Sequence, residues 1–443
     1  MDNARKAAYF ALRDVEENKA YSGFAVQKAV RKIPPERTAF VRELVYGTIR
    51  EQLLLDNIIG RFIKTPVGKL PVSDRVLLRM GVYQHVSLNS VPDYAAVSET
   101  VELAKRYSRG REKFINGVLR QYIREKDRGG LPPRERDEAG YLSLKYSFAR
   151  WIVEMWINEF RDVSEVEKLL AALNRRPRLC LRVGSLRTDT EGLLGSLDKA
   201  GFSVEADENR RDILFLDGSG SNKPLDSELY RKGFFSVQDK ASVIAAASVG
   251  AKPGETIVDV CAAPGGKAMA MAEAMGNNGR IIALDIHEHR IGLIEAEALR
   301  LGVDIVETRR HDSRNMIPEL ENMADRVLVD TPCSGLGTAR RKPEVKYKEF
   351  DESMEALPRT QLDILNASAG YVKPGGTLVY STCTIAKREN GDVIDAFLCG
   401  NDGFEKADMF QLLPTEGETD GFFICRLLRK DQGHCLGERR YAD

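Results

Sequence analysis

Asp259-Val260-Cys261-Ala262-Ala263-Pro264-Gly265-Gly266-Lys267 reads as a strand end running into a turn of small residues. Such a turn lets the backbone press against a bound cofactor, because glycine and alanine add little bulk. From residue 241 onward, strand-like and helix-like stretches alternate, the pattern of a largely parallel sheet with helices on both faces. In an open sheet of that kind the carboxyl ends of the strands face the ligand crevice. Two further strand ends carry thiols. Arg326-Val327-Leu328-Val329-Asp330 leads into Thr331-Pro332-Cys333-Ser334-Gly335, and Thr377-Leu378-Val379-Tyr380-Ser381 leads into Thr382-Cys383-Thr384. Cys333 and Cys383 are therefore expected to converge on one site beside the Gly-rich turn.

The turn is not a dinucleotide fingerprint, since Gly-x-Gly-x-x-Gly is absent. Nor is it a phosphate loop, because Ala268 follows Lys267 where a Ser or Thr would meet Mg²⁺. Beyond the next helix, Arg280-Ile281-Ile282-Ala283-Leu284-Asp285 ends in a carboxylate about 20 residues past the glycines, where it can accept hydrogen bonds from ribose hydroxyls. His311-Asp312-Ser313 follows another apolar run, Val303-Asp304-Ile305-Val306, and Asp312 is placed to meet an adenine amine. Turn, acid and acid fall in the order that a nucleoside cofactor requires.

A lone cysteine is more often a small buried hydrophobe than a nucleophile, and Cys180, Cys261, Cys399, Cys425 and Cys435 are read that way. Cys333 and Cys383 differ because each lies between a strand end and turn-forming residues. Attack on carbon needs a thiolate, which nearby helix N-termini favour. A cytosine ring is inert at C5 until a nucleophile adds at C6. Thiolate addition activates C5, and a sulfonium donor then supplies a methyl group. Which thiol attacks is left open by the residues themselves.

At 443 residues, the chain is long enough for two or three domains. Its 43% hydrophobic and 30% charged content is that of a soluble globular protein. No apolar run approaches a membrane span and Met1-Asp2-Asn3-Ala4-Arg5-Lys6 starts no signal peptide. The seven cysteines form no disulfide framework and no Cys-x-x-Cys pair, so a reducing cytoplasm and no zinc site are expected. The net charge of zero hides a gradient. Residues 1–128 hold 24 Lys+Arg against 15 Asp+Glu (+9), residues 129–240 hold 18 against 19 (−1), and residues 241–443 hold 24 against 32 (−8). A basic front joined to an acidic cofactor-type domain suggests that the front holds a polyanion.

Residues 1–128 read as an all-helical domain. Ala7, Ala8, Ala11, Leu12 and Val15 share a helical face, as do Val97, Val101 and Ala104, and Phe114, Ile115, Val118, Leu119, Tyr122 and Ile123 repeat the pattern. Pro34-Pro35, Pro66, Pro71 and Pro92 punctuate it. Residues 126–137 read as a Gly- and Pro-containing linker. Residues 141–240 form a small α+β module, with a helix from Val163 to Leu173, a strand at Leu179-Cys180-Leu181-Arg182-Val183, a helix from Thr190 to Ala200, and strands at Phe202-Ser203-Val204 and Ile213-Leu214-Phe215-Leu216. Residues 241–430 form the α/β domain.

These residues resemble a known family. Asp259–Lys267, 283–290, 330–335 and Lys373-Pro374-Gly375-Gly376-Thr377-Leu378-Val379-Tyr380-Ser381-Thr382-Cys383-Thr384 are similar to motifs of the RNA cytosine-C5 methyltransferases that use S-adenosylmethionine. Arg42-Glu43-Leu44-Val45-Tyr46-Gly47, Glu102-Leu103-Ala104-Lys105 and Phe114-Ile115-Asn116-Gly117-Val118-Leu119-Arg120 resemble the antitermination factor NusB. The combination is that of the bacterial RsmB (Sun/Fmu) family, which acts on 16S ribosomal RNA, and the likeness extends to Gly233–Ser242 and Asp420-Gly421-Phe422-Phe423. It implies a Rossmann-like catalytic domain and a NusB-like RNA-binding domain. By resemblance, Cys383 is the nucleophile, Cys333 assists product release, and Asp330 contacts the cytosine near N3 and faces the cofactor. The turn Cys261–Lys267 cradles the methionine part, Asp285 holds the ribose, and Asp312 lies near the adenine. Thr331 stands where the family usually has Ala, and His311 where Gly is common.

Arg340-Arg341-Lys342-Pro343, with Lys346 and Lys348, is expected to hold phosphates flanking a flipped or unpaired target base. The whole reads as a cytoplasmic, monomeric, metal-free S-adenosylmethionine-dependent methyltransferase of small-subunit ribosomal RNA. Rival readings are a cytosine methyltransferase of transfer RNA or another RNA, and a NusB-like RNA-binding or antitermination protein with an inert methyltransferase half.

Overall fold

The computed structural model describes residues 2–88, 91–125, 130–217 and 224–431. Cys435 and residues 126–129 of the expected linker lie outside the described residues. The chain forms two compact units, one of Met1–Pro177 with Thr338–Phe350, the other of Arg178–Gly337 with Asp351–Asp443. The residues expected as one module at 141–240 are thus distributed over both.

The first unit is helical. The expected apolar faces are its core: Ala8, Leu12, Ile115, Val118 and Leu119 are buried together with Leu44, Val45, Ile58 and Leu77. Proline sets the helix starts. Pro34, Pro71 and Pro92 sit at the N-cap of helices Pro35–Arg50, Val72–Ser87 and Asp93–Tyr107, where a missing N–H costs nothing. The segment Thr338–Phe350 completes two helix ends. Glu344 accepts hydrogen bonds from Ser22 N (3.1 Å) and Ser22 Oγ (2.7 Å) at the start of helix Ser22–Val30. Tyr347 OH donates to Ile49 O (2.6 Å), and Lys346 Nζ donates to Arg50 O (2.6 Å), at the end of helix Pro35–Arg50. Those carbonyls have no partner within their own helix.

This corrects the reading of the basic run. Lys346 is fully buried, and its amine also donates to Tyr146 O (2.9 Å) and Asn174 Oδ1 (2.7 Å). Arg340 is buried too. Lys346 does not reach a phosphate; three protein oxygens occupy its three donors.

The second unit has two sheets. Strands β1 (Leu179–Val183), β2 (Val204–Ala206), β3 (Ile213–Leu216) and β4 (Phe235–Val237) form an antiparallel sheet in the order β2-β3-β1-β4. Strands β5 (Thr256–Val260), β6 (Arg280–Asp285), β7 (Val306–Arg310), β8 (Ala324–Asp330), β9 (Val372–Thr382), β10 (Phe404–Leu412) and β11 (Phe422–Arg429) form a seven-stranded sheet in the order β10-β11-β9-β8-β5-β6-β7. From β9 to β7 all pairs are parallel; β11 pairs antiparallel with β9 and β10. This is the expected Rossmann-like arrangement with an antiparallel edge. Its central strands are nearly continuous apolar runs because helices cover both faces. Three details differ from the sequence reading, the first being that β2 spans Val204–Ala206 and not residues 202–204. β4 is additional, and β7 begins at Val306 rather than Val303: Val303 instead packs into the core just after helix Glu288–Leu301, and the strand itself, Val-Glu-Thr-Arg-Arg, is a polar edge.

Candidate active site

The chain leaves β5 for β6 and β7 on one side, then returns to place β8 on the other side of β5. Strand order therefore reverses between β5 and β8, where open α/β sheets bind ligands beyond the carboxyl ends of the strands. The expected catalytic and cofactor residues lie along that edge. In sheet order, Cys383 follows β9, Asp330 ends β8 with Cys333 beyond it, the turn Cys261–Gly265 follows β5, Asp285 ends β6, and Asp312 lies just past β7. Five strand ends span about 19 Å at ~4.8 Å per strand, enough for an extended nucleoside cofactor and a base side by side.

The two sulfurs are in contact: Cys333 Sγ and Cys383 Sγ lie 3.2 Å apart. The register that pairs Asp330 with Ser381 places their turns side by side. Cys383, which hydrogen-bonds to Cys333, and burial together hold the Cys333 thiol well above the usual thiol range. Asp330 is fixed at both oxygens, Oδ1 accepting from Ser381 Oγ (2.8 Å) and Oδ2 from Lys267 Nζ (2.6 Å). Burial disfavours charge on Lys267, but Asp330 beside it and Asp259 outweigh this and raise the amine's pKa.

The turn after β5 has the backbone that its small residues permit. Gly265 has φ +103 and caps helix Gly266–Ala274, and a Cβ there would press on the backbone of Ile294. Cys261 has φ +61, and burial pushes its thiol pKa up, which suits packing rather than nucleophilic attack. Asp285 is buried and accepts from His287 N (2.9 Å). Asp312 is engaged by Arg314, with Nη2 to Oδ2 at 2.5 Å. Thr331 is buried, and His311 is tied to Asn315 O (2.6 Å).

Sequence reading did not single out Asp259 as a site residue of its own. It is fully buried in the centre of the sheet, and neither carboxylate oxygen has a hydrogen-bond partner. Burial raises its pKa to about 8, with Lys267 opposing and Asp330 and Asp285 adding to the rise. The only signal in the sequence was an acid inside an apolar strand. Nor were Glu389, Asn390 and Gln361 found, since they are ordinary polar residues until the fold packs them around the thiol turns. Among the described residues no group of three metal-ligating side chains occurs, and no helix is long and apolar enough to cross a membrane.

Three family models match this chain: "NusB family" over residues 2–124, "RsmF/B-like, ferredoxin-like domain" over 148–222, and "16S rRNA methyltransferase RsmB/F" over 246–428. A Bacillus subtilis protein named "Probable ribosomal RNA small subunit methyltransferase B" is 35% identical, covering 97% of this chain and 99% of its own. The chain belongs to the ribosomal RNA small subunit methyltransferase B family. The member from Klebsiella pneumoniae is 31% identical over 97% of this chain and 98% of its own. A solved structure named PH0851 superposes with a TM-score of 0.83 at 26% identity, covering 96% of this chain and 98% of that one. The RsmB-family catalytic fold accordingly comes with a NusB-like helical domain at the front and a small module between them, as the sequence predicts.

Proposed function

We propose that this protein methylates carbon 5 of a cytosine in small-subunit (16S) ribosomal RNA, using S-adenosylmethionine and a covalent adduct between Cys383 and cytosine C6. The observation that carries this reading is the pair of sulfurs 3.2 Å apart, at neighbouring strand ends and beside the Asp330–Lys267 pair. Two thiols so close can act on the adjacent C5 and C6 of one ring. The names of the relatives support ribosomal RNA as the substrate. In this reading residues 1–128 bind RNA, residues 141–240 add contacts, and residues 241–430 carry the chemistry, in a cytoplasmic monomer acting on RNA that is not yet fully assembled.

The residues present fit the donor. Asp259 and Asp330 face a single amine, Lys267, Asp285 lies close enough to Asp259 to raise its pKa, and Asp259 has no hydrogen-bond partner. That acidic cradle suits a ligand bearing an ammonium and a sulfonium. Ala262, Ala263, Pro264, Gly265 and Gly266 would offer close backbone for the methionine part, Asp285 would hold the ribose, and Asp312, here paired with Arg314, would lie near the adenine. When bound, S-adenosylmethionine supplies the methyl group.

The chain's own groups divide the remaining work. Asp330, steadied by Ser381 and Lys267, accepts a hydrogen bond from the cytosine's N4 amine beside N3. By the family resemblance Cys383 attacks C6 as a thiolate, while Cys333 beside it, held well above the usual thiol range, keeps its proton. Once the Cys383 sulfur is bonded to carbon, its charge no longer holds the Cys333 proton in place. Cys333 then gives its proton to solvent and takes the C5 proton; the C5–H electrons form the C5–C6 double bond, and the electrons of the breaking C–S bond return to Cys383. Bisulfite sequencing of total RNA from cells with and without the gene tests the reading: loss of one protected cytosine in small-subunit ribosomal RNA is expected. Loss of a transfer-RNA signal instead favours another RNA substrate, and no change with intact protein favours an inert methyltransferase half.

A further inference from the structure

Glu389 and Asn390 are consecutive, each is 2% exposed, and each grips one of the two thiol turns. The carboxylate Oε2 of Glu389 accepts from Ser334 N (2.8 Å) and from Gln361 Nε2 (3.0 Å), while the same Gln361 amide also donates to Pro332 O (3.0 Å). Both peptide groups flanking Cys333 are thereby held. Asn390 holds the residues on either side of Cys383: its Oδ1 accepts from the Thr382 hydroxyl Oγ1 (2.6 Å), and its Nδ2 donates to Thr384 O (3.2 Å). The pair is itself tethered, since Tyr380 OH donates to Glu389 O (2.6 Å) and Ser334 Oγ lies 2.7 Å from Thr384 Oγ1. A buried carboxylate is expensive unless its hydrogen bonds are specific; here one goes to the backbone just after a reactive sulfur, and the other to the Gln361 amide that holds the carbonyl just before it.

We infer that Glu389 and Asn390 are positioning residues that set the two thiols separately, Glu389 placing Cys333 for adduct release and Asn390 placing Cys383 for adduct formation. The inference rests on the covalent reading above. Neither side chain forms or breaks a bond; each holds the turn from which its sulfur acts.

Two measurements on the full-length protein test it. Denaturing electrophoresis with RNA and S-adenosylmethionine should show adduct accumulating at least about tenfold in Glu389→Ala. Asn390→Ala should form adduct at least about tenfold more slowly, with donor affinity unchanged in both. Glu389→Gln, which keeps an acceptor for Ser334 N, should restore release most of the way. The second readout needs no RNA: mass spectrometry of iodoacetamide labelling should show Cys333 alkylated several-fold faster in Glu389→Ala with Cys383 unchanged, and the converse in Asn390→Ala. If both variants slow both steps equally and lose donor affinity, or label like wild type, the inference is overturned. Should labelling separate as expected while no variant, Cys333→Ala included, traps RNA, the covalent reading fails and the positioning roles stand. Gln361→Leu, which leaves the Glu389–Ser334 contact, provides a milder variant if Glu389→Ala does not fold; it should shift Cys333 labelling alone, and unchanged labelling counts against the inference.

Discussion

Cys333 and Cys383 come within 3.2 Å because two residues on adjacent strands, Asp330 and Ser381, are in register just before the turns that carry them. If Cys383 adds to C6, Cys383→Ala abolishes both methylation and the covalent protein–RNA band, whereas Cys333→Ala accumulates that band. Denaturing electrophoresis separates the two, and the reverse pattern would make Cys333 the nucleophile. Asp285→Ala should weaken S-adenosylmethionine binding roughly tenfold to hundredfold, the scale of charge-assisted hydrogen bonds worth about 1.5–3 kcal/mol, while sparing RNA affinity. Unchanged affinity by calorimetry would reject the ribose assignment. Asp259 gives a pH signature. Its pKa of about 8 lies above the ordinary 3.8, so the folded state binds the proton more tightly. The stability it contributes is fully present below pH 3.8 and is lost as pH rises through about 8. Wild type should therefore lose up to about 6 kcal/mol between these limits that Asp259→Asn does not. Parallel denaturation midpoints for the two proteins across this range would contradict it.

At the scale of elements, the site is a consequence of strand order. Five motifs scattered over more than a hundred residues become neighbours because β8 returns beside β5. Backbone approaches matter as much: a Cβ on Gly337, just past the Cys333 turn, would collide with the carbonyl of Gly421, and Gly337 N donates to Cys383 O at 3.1 Å. The segment Thr338–Phe350 shows how a charge pattern misleads. Burial pulls the pKa of Lys346 well below the lysine range, and Arg50 adds to the fall. Yet its three oxygen partners and the Phe148 ring at 4.4 Å match the three donors of an ammonium. Lys346→Met should destabilise the helical unit by about 1–3 kcal/mol. The loss is limited because Tyr347 OH and Asn174 Nδ2 still reach the Arg50 and Tyr146 carbonyls. A denaturant midpoint equal to wild type would show these bonds to be dispensable.

For the whole molecule, the uneven charge is the feature with a direct readout. Lys28, Arg31 and Lys32 are exposed together at the end of helix Ser22–Val30. Replacing all three with Gln should lower the slope of log affinity against log salt by up to about 2–3 and leave turnover of bound RNA intact. Equal slopes would remove this patch from RNA binding. Substitution is preferable to deleting residues 1–128, because Lys346 and Tyr347 depend on the carbonyls of Ile49 and Arg50. By itself, the sequence determined the alternation of β5–β9 with helices, the helical faces of the front domain and the motif residues at strand ends, since apolar periodicity and turn residues are local signals. Even so, β7 was displaced by three residues, because a polar edge strand carries no apolar run. Only the tertiary structure decided that the thiols touch, that Asp259 is buried without a partner, that Lys346 is a core amine, and that Glu389 and Asn390 clamp the two turns. Each of these depends on which distant strand or helix lies alongside, and residue type along one stretch of chain does not encode that neighbour.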